Sequence, residues 1–150
     1  MTDSSIRRIL VPVDFSDASA EALRVARSLA AALGASIEVV HVMEPPSGLL
    51  SASQAPELTP AEARARLQEL AAGSGSGGVA VTARVEDGDA RTRIVALAEE
   101  QGFDLIAMGT QGRTGRPLAL VGSVAESVIR TSTRPVLTVR ARADTVGGAR

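Results

Sequence analysis

A glycine-rich stretch in the last third of the chain has the residue types that bind phosphate groups. It runs from Gly109 to Gly122, reads GTQGRTGRPLALVG, and is followed directly by Ser123. Glycines let backbone N–H groups approach an anion, and the N-terminus of a following helix attracts a phosphate. The stretch has neither the Gly-Lys-Ser/Thr of a P-loop nor the spacing of the dinucleotide fingerprint. It therefore indicates a phosphate site of another type.

The same residues also have a purely structural interpretation. Ser123 and Glu126 have the spacing of a capping box, in which the two side chains satisfy the first N–H groups of the helix. In that case, the helix would need no phosphate. The loop sequence alone favours neither the phosphate site nor the capping box.

Three other kinds of polar residue are candidates for chemistry. Asp14 follows an apolar run, where it could bind a ligand, start a turn or cap a helix. His41 is the only histidine and lies within a predicted strand, which favours a hydrogen-bonded structural role over that of a base or metal ligand. Arg113 and Arg116 could screen phosphate charge or simply be solvated.

Apolar periodicity places these residues on an alternation of strands and helices. Each predicted helix begins at a capping residue, namely Ser16, Thr59, Asp89 or the start of the Ser123–Thr131 segment. The predicted strands are Ile6–Val13, Ile37–Met43, Val79–Val85, Phe103–Met108 and Pro135–Val139. Such alternation predicts an α/β fold: a single doubly wound, five-stranded parallel sheet with helices on both faces. Ligands of such sheets bind beyond the carboxyl ends of the strands.

Composition limits the function classes. The chain has 150 residues, 16 basic and 17 acidic side chains and no cysteine. One domain over 1–150 is expected, with its core at about 6–140 and a flexible tail at 141–150. The balanced charge and the absence of a long apolar segment argue against nucleic acid and membrane as partners. A cytoplasmic location is the default expectation.

Five ordered landmarks resemble the universal stress protein family. The spacing Gly109-x2-Gly112-x9-Gly122-Ser123 is similar to the ATP-binding motif of its nucleotide-binding branch. The other four landmarks are similar to its first, second, fourth and last strands: ILVPVDFS from Ile9, VHV from Val40, DLIAMG from Asp104 and RPVLTV from Arg134. The resemblance covers about 6–140 and implies the strand order 3-2-1-4-5, as in adenine-nucleotide α-hydrolase-like folds.

The resemblance also implies a role for each matching residue. Residues after strand 1 would lie against the adenosine, with Asp14 accepting hydrogen bonds, and Val42 would contact adenine through its backbone and side chain. Met108 and Gly109 would pack beside the ribose, while the loop and the next helix would surround the phosphates. The implied binding residues are Pro12, Val13, Asp14, Val42, Met108, Gly109, Gly112, Arg113, Gly122, Ser123 and Val124. The implied ligand is ATP, ADP or AMP, with Mg²⁺ or Mn²⁺ held by the phosphates.

The functional hypothesis is a nucleotide-binding regulatory or stress-response protein with at most slow ATP hydrolysis. No catalytic residue is identified, and Gln111 stands where the family often carries His. One alternative is a nucleotide-free interaction module, which the glycines at 109, 112 and 122 argue against. The other is a weak ATP hydrolase of the related hydrolase group, but that group carries a Ser-Gly-Gly-x-Asp-Ser loop where this chain reads VDFSD from Val13. A homodimer through the last strand, Pro135–Val139, is expected from its apolar edge and from the resemblance.

Overall fold

The computed structural model describes residues 5–45, 58–73, 77–111 and 121–141. Five strands alternate with four helices along these residues. The strands are β1 (Arg8–Pro12), β2 (Ser36–Met43), β3 (Val81–Asp87), β4 (Leu105–Gly109) and β5 (Val136–Val139). The helices are α1 (Asp17–Leu33), α2 (Pro60–Ala71), α3 (Ala90–Glu100) and α4 (Ser123–Thr131).

All five strands form one parallel sheet in the order β3-β2-β1-β4-β5, as predicted. The chain starts in the middle at β1, moves outward through β2 and β3, and then crosses to the other side through β4 and β5. The strand order thus reverses between β1 and β4, where Ile9 pairs with Leu105. The gap beyond the carboxyl ends of these two strands is the expected ligand position in a doubly wound sheet.

Two apolar clusters cover the two faces of the sheet. On one face, α1 and α2 pack on a cluster that includes Ile9, Val11 and Leu67. On the other face, α3 and α4 pack on a cluster that includes Leu10 and Ile106. The β1 residues alternate between the two clusters because successive side chains of a strand point to opposite faces. Burial on both faces explains the nearly continuous apolar runs of the central strands.

The predicted caps of the first three helices are confirmed. Ser16 accepts a hydrogen bond from the Ser19 N–H at the start of α1, and Asp89 accepts one from the Arg91 N–H at the start of α3. Thr59 and Glu62 form a complete capping box at α2. Each cap satisfies an N–H group that has no partner within its helix.

Several predicted boundaries differ from the structure at strand ends. β1 is shorter than the predicted Ile6–Val13, and β3 lies two residues later than the predicted Val79–Val85. β4 likewise begins at Leu105 rather than Phe103, because Asp104 still belongs to the preceding turn and its side chain accepts hydrogen bonds from the backbone of Arg7 and Arg8. Apolar character alone does not separate a strand from the buried residues that flank it.

Most of the predicted loop at 44–58, part of the connector at 73–78, most of the tail at 141–150 and the loop arginines Arg113 and Arg116 lie outside the described residues. Among the residues that are described, no helix combines the length and apolar character needed to span a bilayer.

Candidate functional site

A cavity of about 250 Å³ opens at the carboxyl ends of β1, β2 and β4, on the face covered by α3 and α4. The three strand ends form its floor, and the first turns of α3 and α4 form its walls. The structure brings together around it the predicted residues Pro12, Val13, Asp14, Val42, Met108, Gly109, Gly122, Ser123 and Val124. Gly112 and Arg113 lie outside the described residues.

The wall formed by α4 has an open helix N-terminus. Its N-cap is Gly122, in an extended conformation, and no side chain of the described residues caps the helix. The predicted capping box of Ser123 and Glu126 is therefore wrong. Ser123 is already the first helical residue, and Glu126 instead accepts a hydrogen bond from Arg130 one turn later, with 2.7 Å between Oε1 and Nη2. Within the part of the chain that the structure describes, the first N–H groups of α4 thus have no side-chain acceptor at the cavity.

The wall formed by α3 is the opposite case, because carboxylates already occupy its N-terminus. The Ala90 N–H donates to Oε1 of Glu44 at 3.1 Å, and the Arg91 N–H donates to Oδ1 of Asp89 at 2.9 Å. Two negative groups at this end would repel a phosphate. Of the two walls formed by described residues, the α4 end is the one that is electrostatically suited to an anion.

Asp14 is held in a turn at the end of β1. Its Oδ1 accepts hydrogen bonds from the Ser16 N–H, at 3.0 Å, and from the Ser16 hydroxyl. The turn places Phe15 in the left-handed region with φ of 65°, which is rare for a bulky residue. Asp14 therefore starts a turn, as one of its interpretations predicts, and also lines the cavity.

His41 is hydrogen-bonded within the fold, as predicted. Its Nδ1 lies 2.7 Å from the carbonyl oxygen of Val13. Since a carbonyl oxygen only accepts, Nδ1 carries the proton and donates it. The imidazole also packs against Phe15 at a tilt of 39°, with ring centroids 4.8 Å apart, and the Arg66 guanidinium lies 5.1 Å from the Phe15 ring centroid.

Charged side chains on β3 attach the α3 wall to the sheet. Glu86 accepts hydrogen bonds from Arg84 and Arg93, each at 3.2 Å. Burial raises the pKa of Glu86 most, but the hydrogen bonds and charges of the two arginines outweigh it and lower the pKa overall. Arg84 also donates a hydrogen bond to Glu38, and this bond is the main cause that raises the pKa of Arg84.

Sequence reasoning missed several lining residues. Ser19 and Thr110 are buried polar residues at the cavity, and Ala90 and Ile94 line it from α3. The apolar stripe of the third helix did predict Ile94 as buried, but not that it faces a cavity. Within the described part of the chain, no cluster of three or more acidic or histidine side chains could hold a metal ion.

The sheet order and the position of the cavity define an α/β protein of the doubly wound class, with a cavity at the switch point, where ligands of such sheets bind. The family model described as "Universal stress protein family" matches residues 5–140. The chain belongs to the universal stress protein family.

Individual relatives are similar over nearly the whole chain. The universal stress protein MJ0531 of Methanocaldococcus jannaschii is 34% identical over 139 residues, which cover 89% of this chain and 82% of that protein. The structure of MJ0577 from the same organism has a TM-score of 0.78 at 26% identity, covering 93% of this chain and 99% of that one.

Two solved relatives contain adenine nucleotides. A universal stress protein from Archaeoglobus fulgidus was solved in complex with dAMP, and it matches with a TM-score of 0.67 and 25% identity over 90% of this chain and 98% of that one. Another universal stress protein was solved in complex with cAMP, and it matches with a TM-score of 0.69 and 25% identity over 92% of this chain and 99% of that one.

Proposed function

We propose that this universal stress protein binds an adenine nucleotide, ATP or its close relatives ADP and AMP, and acts as a nucleotide-dependent regulator in a stress response. The observation that carries the proposal is the open N-terminus of α4 at a cavity on the sheet's switch point. The relatives solved with dAMP and cAMP support adenine as the base.

The charges at the two walls determine which end of the nucleotide lies at which wall. The phosphates belong at the first turn of α4, where Ser123 and Val124 offer backbone N–H groups, while the Gly122 N–H already donates to the Thr110 carbonyl. The base belongs away from α4, between the end of β2 and α3. There Val40, Val42 and Ile94 provide apolar contact surface. The sugar then lies across the ends of β1 and β4, beside Asp14 and Gly109.

The proposal is for a binding protein rather than an efficient hydrolase. Asp14 and His41 are the acidic and histidine residues at the described part of the cavity, and the side chains of both are engaged in the fold. General-base catalysis needs a group free to take a proton from the attacking water. A divalent ion would be held mainly by the phosphates.

Two further predictions belong to the same proposal. β5 forms one edge of the sheet, and an edge strand with partly buried apolar residues can pair with a second copy. We therefore retain the predicted homodimer through Pro135–Val139. A cytoplasmic location also stays a prediction.

The first experiment is to denature freshly purified protein and identify any released nucleotide by chromatography. ATP is then titrated into the emptied protein with Mg²⁺. Copurified adenine nucleotide, or saturable ATP binding, supports the proposal. Absence of both at millimolar ATP would contradict it and favour a nucleotide-free interaction module.

A variant links that binding to the α4 end of the cavity. Gly122→Val places a branched side chain where the phosphates are proposed to lie, and we expect loss of ATP binding with an unchanged circular dichroism spectrum. Val121→Ala, at the exposed neighbouring position, is the matched control and should bind normally. Normal ATP binding by Gly122→Val would show that the phosphates lie elsewhere.

A further inference from the structure

The parallel pairing of β1 and β2 ends in an unusual way at the cavity. The Val13 N–H donates to the Val40 carbonyl at 2.8 Å, so Val13 continues the pairing one residue beyond β1. In a regular parallel ladder, the Val13 carbonyl would next accept the N–H of Val42, two residues after Val40. Instead, its acceptor site is taken by Nδ1 of His41 at 2.7 Å.

Because His41 takes the place of Val42 at the Val13 carbonyl, the backbone N–H and carbonyl of Val42 face the cavity. The backbone of Val40 is hydrogen-bonded on the β1 side of β2. The Met43 carbonyl is hydrogen-bonded on the β3 side, where it accepts the N–H of Gly88, just after β3, at 3.0 Å. Because peptide groups alternate sides along a strand, Val42 faces β1, like Val40. Among the described residues, neither the N–H nor the carbonyl of Val42 makes a hydrogen bond. Val42 itself lines the cavity.

We propose that His41 is a positioning residue for base recognition: its imidazole satisfies the Val13 carbonyl and so keeps the Val42 N–H available to the ligand. The inference rests on the proposed adenine-nucleotide function. A peptide group with a free N–H and a free carbonyl matches one edge of adenine, whose N1 accepts and whose 6-amino group donates. The opposite pattern, N1–H and a 6-oxo group as in hypoxanthine, does not fit.

The surroundings of His41 hold its ring in the orientation that this role requires. The stack on Phe15 restricts rotation of the imidazole, and Arg66 lies on the Phe15 ring. Ile37 and Val39, which share a face of β2 with His41, pack on the α1 and α2 cluster, as Phe15 does. Val40 and Val42 point to the opposite face, where the cavity lies. His41 therefore acts through the backbone of Val13 and Val42, without contact between its side chain and the base.

Amide hydrogen exchange tests the arrangement without any ligand. In the nucleotide-free protein, we expect the Val42 amide to exchange at least tenfold faster than the neighbouring His41 and Met43 amides, which pair with β3. In His41→Phe, which keeps the aromatic stack but removes the donor, the Val42 N–H should pair with the Val13 carbonyl and become protected. A Val42 amide that is as protected as its neighbours in the wild-type protein would overturn the inference.

Binding of ATP and inosine triphosphate tests the consequence for recognition. Both share the sugar and phosphates, so the ratio of their Kd values isolates the base end. We expect His41→Phe to weaken ATP about tenfold, the effect of one lost hydrogen bond, and to leave inosine triphosphate nearly unchanged. His41→Asn places an amide N–H at the same position on the side chain as Nδ1, and should restore the wild-type ratio to within about threefold.

The outcomes separate the two proposals. If the wild-type protein binds neither nucleotide, the proposed function fails, and the exchange rate of Val42 still reports on His41. If the wild-type protein prefers ATP and His41→Phe keeps the full preference at an unchanged melting temperature, the proposed function stands and the positioning role is wrong.

Discussion

Gly109 at the end of β4 lies directly against Ala18 in the first turn of α1. A Cβ atom on Gly109 would stand 2.7 Å from both the carbonyl carbon and the Cβ of Ala18. Real side chains essentially never come so close to a backbone atom. The glycine that begins the glycine-rich stretch is therefore required for packing of α1 on the sheet, independently of any ligand.

This contact predicts that Gly109→Ala destabilises the protein by about 2–3 kcal/mol, because α1 must shift away from the sheet. Urea unfolding measures the difference. Gly34→Ala is the control: its φ of 70° makes alanine unfavourable by about 1 kcal/mol, but no atom lies within 4 Å of the added Cβ. Equal costs for the two substitutions would show that conformational strain, not the contact with Ala18, is the reason for glycine at 109.

The open N-terminus of α4 predicts a selective effect of proline at its first position. Ser123→Pro removes one N–H, and the helix tolerates it because the first residue of a helix makes no internal N–H bond. Gly122, with φ of −63° and ψ of 157°, already has the conformation required before proline. We expect ATP affinity to fall about tenfold by calorimetry, while adenosine affinity is unchanged.

Ser123→Ala is the matched control, because it removes the hydroxyl and keeps the N–H. If Ser123→Ala loses as much ATP affinity as Ser123→Pro, the side chain binds the phosphate and the backbone does not. If both bind ATP normally, the first turn of α4 is not the phosphate site.

The sequence predicted features that depend on nearby residues. The caps at Ser16 and Thr59 involve partners within three residues, so the local pattern contains all the information. Ser123 is the exception. Its spacing from Glu126 fits a cap, but the helix starts at Ser123 itself, where the hydroxyl can no longer act as N-cap. A difference of one residue in where the helix begins therefore decides whether its first N–H groups have a side-chain acceptor.

Features that depend on register between strands could not be predicted. The hydrogen bond from His41 to Val13 joins residues 28 positions apart, and it exists only because β1 and β2 pair with Pro12 opposite Val40. A shift of that pairing by one residue would turn the His41 side chain to the other face of the sheet, away from the Val13 carbonyl. The sequence supports a structural histidine in a strand, but it does not identify the partner or its effect on Val42.

The lowered pKa of Glu86 predicts a dependence of stability on pH. A carboxyl group whose pKa falls on folding stabilises the protein above its unfolded pKa, near the ordinary value of 4.5, and loses this contribution as pH falls through the folded pKa. Glu86→Gln should therefore cost about 1 kcal/mol at pH 7, because Arg84 and Arg93 lose a charged partner.

Urea unfolding at pH 7 and in acid, below the folded pKa of Glu86, measures this contribution. The difference between wild type and Glu86→Gln should shrink in acid, where Glu86 is protonated in both the folded and unfolded states. Glu69→Gln, at an exposed position of α2, is the control and should change stability by less than about 0.5 kcal/mol at either pH. A constant cost of Glu86→Gln across the pH range would mean that shape, rather than charge, accounts for its contribution.

The edge position of β5 predicts a substitution that separates dimerisation from folding. The Pro135 carbonyl accepts a hydrogen bond from Ile106 of β4, and the Val139 carbonyl accepts one from Thr110, directly after β4. The alternate residues Val136 and Thr138 therefore direct their N–H and carbonyl groups to the free edge. Thr138→Pro removes an N–H that a partner strand would use but that β4 does not use. We expect light scattering to show a dimer for the wild type and a monomer for Thr138→Pro, with a melting temperature within a few degrees. Leu137→Pro is the control: it interrupts the pairing with β4 and should instead unfold β5. A wild-type protein that is monomeric at micromolar concentration would contradict the predicted dimer.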